Sequence, residues 1–321
     1  MLFAMGMALS AVGAAARPIF VLNSRDANVS IIDPVTYTEL RRVPTGKEPH
    51  HLYLTPDEKS LMVANAAGDS ITLMDPRTGE VQRTLTGIVD PYQLRVSPDM
   101  KWLVTAANRL DHIDIYAWQP LIEGFALQLV KRIPARKTPS HIAIDSNSTT
   151  AYVSLQESDE LIAIDLSSQT PRWTIPVGKT PADVFIRPDD KILFVALTGD
   201  RYIEAYDLTE SPARLITRLK TDAGAHAFRA QGDRRHLFVS NRTANSVSRI
   251  DMESLTVLET YAVAGGPDCM DMLADGKTLL ITSRWARQLS ILDLEKKMVE
   301  RHVSVGTSPH GVWTLDHVGS L

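Results

Sequence analysis

One cysteine in 321 residues, Cys269, leaves no internal disulfide to form. A chain of this length buries a large core without such staples, so their lack leaves the compartment open. There is no excess of basic charge either. Lysine and arginine total 34 against 38 aspartates and glutamates, for a net charge of -4. A nucleic-acid binder shows a basic balance or a basic cluster. The nearest candidate, Gly232-Asp233-Arg234-Arg235-His236, reads as a turn, so no nucleic-acid partner is expected. No Walker loop, dinucleotide-type glycine loop, Gly-x-Ser-x-Gly elbow, Cys-x-x-Cys or His-x-x-x-His occurs. The common nucleotide, hydrolase and metal spacings are therefore missing. Low-complexity stretches and runs of like charge are absent too, which argues against disorder.

Long apolar runs are confined to the start. Met1 to Ala16 are apolar or small except for Ser10, and Ala14-Ala15-Ala16 precedes Arg17-Pro18. The stretch is short for a membrane span. It has the apolar core and small-residue cleavage site of a secretory signal, without the basic n-region. The expectation is a signal peptide, or a retained arm, over residues 1–16. An exported domain, periplasmic or secreted, then runs over residues 17–321 with no stable membrane span.

What the chain does contain is a repeat. Proline recurs at Pro49, Pro91, Pro139, Pro181, Pro267 and Pro309, with Ala225 in the same frame, at steps of 42 to 48 residues. Each proline opens an alternating apolar strand, as in His51-Leu52-Tyr53-Leu54. A turn follows, as in Pro56-Asp57-Glu58-Lys59 or Ala274-Asp275-Gly276-Lys277. A β-branched and aromatic strand comes next, as in Ala151-Tyr152-Val153-Ser154. The third strand ends in aspartate, as in Thr72-Leu73-Met74-Asp75, and a fourth returns to the next repeat. Four short strands in about 42 residues mark a propeller blade. The last repeat stops after its first strand, His310 to Leu315, and the N-terminus supplies the missing ones from Ile19 onward. Six continuous blades plus this composite predict an all-β, seven-bladed propeller with four antiparallel strands per blade. The ring is closed by pairing the C-terminal strand with the N-terminal strands, which removes an exposed sheet edge.

Phe238-Val239-Ser240-Asn241, Val247-Ser248-Arg249-Ile250-Asp251 and Val177-Gly178-Lys179-Thr180-Pro181 resemble the YVTN-type, YncE-like propeller repeat over roughly residues 18–316. That resemblance implies an exported bacterial propeller. The related superfamily includes the haem d1-binding propeller of nitrite reductase and its maturation proteins, amine dehydrogenase large subunits and lactonases. Fold alone does not select among these.

Numbering blades from Pro49, the residues after each proline gather at one mouth of the central channel: His50, Tyr92, Ser140, Ala182, His226, Asp268 and His310. Blades 5, 6, 7 and 1 put His226, Asp268, His310 and His50 on one arc. Imidazoles with a carboxylate suit metal binding or acid–base chemistry. They equally suit structural hydrogen bonds to a neighbouring blade. One residue later come His51, Gln93, His141, Asp183 and Cys269. Period-two alternation predicts that these face away, so that the two sets do not converge. The loops between second and third strands bring Arg242, Arg284 and Trp285 to the same mouth, with Arg25 and Arg201 nearby. They form either an anion-binding rim or pairs with rim acids. Asp33, Asp75, Asp165, Asp207, Asp251 and Asp293 open turns and cap backbone amides; they are not a site.

The expected function is binding of a small ligand or a periplasmic partner protein by a non-enzymatic, monomeric propeller. Its candidate ligand-binding residues are His50, Tyr92, His141, Asp183, His226, Asp268, His310, Arg242, Arg284 and Trp285. No catalytic residue, metal-ligand set or cofactor is assigned. One alternative is a redox-associated protein holding a metal or haem-like cofactor at His50, His226 and His310. Another is a lactonase or lyase using the same histidines.

Overall fold

The computed structural model describes residues 17–121 and 124–319; the expected leader lies outside them. Seven four-stranded antiparallel sheets form the blades. Blade 1 is typical, with strands Pro49–Leu54, Leu61–Asn65, Ser70–Met74 and Val81–Thr86 counted outward from the channel. The composite blade forms as expected. Pro309–Thr314 pairs with Ile19–Asn23, matching Thr314 with Ile19 and Trp313 with Phe20.

The sequence of each strand follows from its place. Second and third strands are covered on both faces by neighbouring blades, so Leu61–Asn65 and Ser70–Met74 are buried throughout. That is why they read as continuous apolar runs. Fourth strands lie at the rim and are mostly exposed, as in Val81–Thr86. Among the described residues, seven apolar clusters occur, one between each neighbouring pair of blades. At the ring closure Phe20, Ile31 and Trp313 pack on Leu61, Val63 and Met74 of blade 1. Burying one such side chain contributes about 1.5–3 kcal/mol. The apolar core is thus distributed around the ring, which leaves the axis to polar residues.

The strand-end aspartates cap turns. Asp33 Oδ1 accepts from the amides of Val35 and Thr36, and Asp293 Oδ1 from those of Glu295 and Lys296. The extra length of blade 2 lies in its strands rather than in a loop. His112–Pro120 and Phe125–Pro134 form a long outer hairpin, with Trp118 stacked on Phe125 at 3.8 Å.

Candidate functional site

In all seven blades the pairing of first and second strands slips just after the proline position. Pro49 pairs with Asn65, but the next pair in register is Leu52 with Val63. The same slip occurs after Pro91, Pro139, Pro181, Ala225, Pro267 and Pro309. A bulge of this kind puts extra residues on one strand and re-aims their side chains. Second-strand hydroxyls secure it. Ser154 Oγ accepts from the His141 amide at 3.1 Å, and Ser240 Oγ from that of Ala227 at 3.1 Å. Thr282 donates to His310 O at 2.6 Å.

The bulge corrects the expectation that the two residue sets face apart. Strict alternation assumes unbroken pairing, and pairing breaks here. The rings of His50 and His51 meet edge-on, 4.8 Å apart. His51 also lies 4.9 Å from His141 and 4.8 Å from His310. His50 lies 3.7 Å from His310 and 4.0 Å from Tyr92. His226 completes the set at 5.7 Å from His141 and 6.2 Å from His310. Five of the nine histidines therefore form one buried cluster on the channel axis. His51 belongs in it although one-residue spacing argues otherwise.

Asp268, fully buried, is the carboxylate of the cluster. Arg242 Nη2 donates to its Oδ1 at 2.7 Å and Arg284 Nη1 to its Oδ2 at 3.2 Å. Burial is the largest influence on Asp268 and opposes its charge, but Arg242, His310 and His226 together outweigh it and hold the carboxyl well below the usual range. Of the two readings of the mouth arginines, the structure therefore shows pairing with an acid for Arg242 and Arg284. Arg25 and Arg201 are exposed. Trp285 stands exposed at the mouth, its ring against the backbone of Gly266, where a Cβ would lie 2.5 Å from Trp285 Cδ2.

Asp183 is committed elsewhere. Its oxygens accept from the amides of Val184 and, across the blade boundary, Phe228 at 2.8 Å. Gln93 does the same for Ile142 at 2.6 Å. These side chains satisfy amides that the bulge frees from the ladder. Burial pushes the Asp183 carboxyl up to about 6.

All five imidazoles are held below their ordinary value. Burial is the main cause for each, and neighbouring histidines or arginines add to it. For His226 the result is about 4. Burial likewise takes the Tyr92 phenol up to about 12 and raises the Cys269 thiol well above its usual range. At neutral pH the cluster is five neutral rings, a phenol and one paired carboxylate. Imidazoles this acidic are weak bases, below the range that suits general base catalysis at neutral pH.

The hydrogen-bond pattern has a consistent gap. His310 Nδ1 donates to His50 O at 2.8 Å, His141 Nδ1 contacts Ser140 Oγ at 2.9 Å, and His226 Nδ1 contacts Thr198 Oγ1 at 3.4 Å. Their Nε2 atoms, with His51 Nε2 and His50 Nδ1, are buried and have no hydrogen-bond partner. His226 Nε2 does lie 3.0 Å from Asp268 Oδ1, but out of line for a hydrogen bond.

The sequence profile of the YNCE-like beta-propeller family matches residues 3–320. The chain belongs to that family. No curated protein matches its sequence. Among solved structures, a functionally unknown protein from Desulfotomaculum acetoxidans superposes with a TM-score of 0.78 at 14% identity, covering 92% of this propeller and 98% of the other chain. The Pseudomonas aeruginosa periplasmic gluconolactonase PpgL gives 0.77 at 17%, covering 93% and 98%. The dihydro-heme d1 dehydrogenase NirN gives 0.69 at 15%, covering 94% and 76%. At these identities the likeness shows a fold that the YNCE-like chain shares with them.

Proposed function

We propose that this protein acts by binding, and that its site is the histidine-lined channel at the face of Arg242, Arg284 and Trp285. One observation carries the reading: unpartnered, buried imidazole nitrogens on His50, His51, His141, His226 and His310. An unsatisfied buried polar group costs about 1–3 kcal/mol. Five of them on one axis are a cost that a bound group would offset.

The likeness to a gluconolactonase supports a hydrolytic reading, but the site offers it little. The imidazoles are in mutual contact, which leaves no recess between them for a sugar lactone. Two surface clefts, of about 650 and 270 Å³, lie instead over blades 2 and 3, beside Arg136, Lys137 and Glu157 in the larger and Asn108 and Arg109 in the smaller. Asp268, the carboxylate among the rings, is held by two guanidiniums. The test is δ-gluconolactone hydrolysis at neutral pH, followed by acid release. Binding predicts a rate equal to buffer for the native chain and for His226→Ala. Turnover that disappears in His226→Ala would overturn it.

A haem-like cofactor, the group bound by NirN, does not fit these residues. Rings 3.7 Å apart leave no space for a macrocycle between them. The histidines are at most 8% exposed, so none projects as an axial ligand toward a group lying on the mouth.

A further inference from the structure

We propose that His226, Asp268 and His310 form the binding site of a single late first-row transition-metal ion, zinc or copper. The proposal rests on the binding reading above and names the ligand. One ligand atom from each residue lies within 4.8 Å of the others, and all three residues are buried. The separations from Asp268 Oδ1 are 3.0 Å to His226 Nε2 and 3.7 Å to His310 Nε2.

The decisive point is where the protons are. His310 Nδ1 faces the carbonyl of His50 and must carry the hydrogen, so His310 Nε2 presents a lone pair. Thr198 gives its one hydroxyl hydrogen to Ala225 O at 3.1 Å, so it can only accept from His226 Nδ1. His226 Nε2 is then also a lone pair. The two lone pairs face a carboxylate oxygen that accepts an N–H from Arg242 at 2.7 Å, and neither imidazole nitrogen brings a proton to it. Such a set repels itself when empty and is satisfied by a cation. A structural role accounts for the Nδ1 side of each ring and leaves the Nε2 side unexplained. A metal-binding histidine shows this arrangement, its second nitrogen donating to a carbonyl or hydroxyl that fixes the tautomer.

The chemistry of the donors narrows the ion. Arg242 and Arg284 flank the carboxylate and oppose any cation held by charge alone, which disfavours calcium and magnesium. Imidazole nitrogens favour copper and zinc, which bind them by donation. Three protein ligands leave a coordination position open. The group His50, His51 and His310 adjoins the site and shares His310.

The test uses the full-length chain, purified without a histidine tag and stripped with chelator. Zinc is titrated against a chromophoric chelator, copper by competition, and cobalt by its absorption. The expected result is one zinc per chain, weakened by at least about 100-fold in His226→Gln and in His310→Gln, since even outer partners of a metal ligand are worth 10–100-fold. His236→Gln is the control, because His236 is paired at the surface with Asp233. It should bind as the native chain does. If His310→Gln fails to fold, His226→Gln and the cobalt spectrum of the native chain carry the test, the latter expected to show the intense bands of a four-coordinate site of mixed nitrogen and oxygen ligands. No stoichiometric zinc or copper, or binding that His226→Gln leaves unchanged, would overturn the proposal. Failure here with lactone untouched removes the metal and leaves the binding reading standing; histidine-dependent lactone turnover removes that reading itself.

Discussion

Replacing Asp268 by asparagine should destabilise the propeller by about 3–5 kcal/mol, the cost of breaking a buried ion pair from one side. The substitution keeps the shape and removes the charge. Arg242 and Arg284, with side chains 19% and 25% exposed, would then lose the anion that both contact. The carboxylate also joins blades, since Asp268 stands on blade 6 and Arg242 on the loop of blade 5. A loss of this size lowers the melting temperature on the order of 10 °C in a domain this large. The physical cause is checked by a second substitution. Arg242→Gln in the Asp268→Asn background removes one stranded guanidinium, so the double variant should be more stable than the sum of the single losses. A loss below about 1 kcal/mol, or strict additivity, would show that solvent reaches the pair.

The second large effect is with pH, in chelator-treated protein. His50, His51, His141, His226 and His310 are all depressed in the folded state relative to an unfolded histidine near 6.5. Below that value the unfolded chain binds more protons than the folded one, so stability is full above it and falls as pH drops. For His226, taken to about 4, the shift corresponds to roughly 3 kcal/mol. Asp183 opposes this. Its carboxyl is raised from 3.8 to about 6, so the folded state takes up its proton first and gains stability between those values. One rising group against five falling ones leaves a net uptake of protons on unfolding near pH 5. Melting temperature should therefore fall steeply from pH 7 to pH 5. A flat profile across that window would mean that water reaches the rings.

The fold is legible in the sequence because each blade repeats the same solution. A proline-led inner strand, two strands buried on both faces and an aspartate-capped turn recur often enough to be counted. Ring closure is legible from the two incomplete ends. The arc His226, Asp268, His310 and His50 is legible too, since it needs only the frame of the repeat. What the frame hides is the bulge. Counting alternate residues turns His51 and His141 away from His50, whereas the slip after Pro49 and Pro139 brings all three onto the axis. A signal for it is present in the second strand, where Ser154, Ser240 and Thr282 occupy equivalent places and fasten the bulged backbone. The partners of polar residues are less legible. Asp183 and Asp268 each occupy the start of an inner strand, yet one closes a backbone gap between blades and the other collects two arginines. That difference depends on which loops reach them across a blade boundary.

The channel holds neutral imidazoles, and the unprotonated nitrogens of His226 and His310 meet at Asp268. Nitrogen-15 spectra of the histidine side chains in metal-free protein at pH 7 test it most directly. Five neutral rings are expected, with His226 and His310 both protonated at Nδ1 and their Nε2 signals moving on addition of zinc. Imidazolium signals from these rings, or His226 and His310 protonated at Nε2, would contradict it.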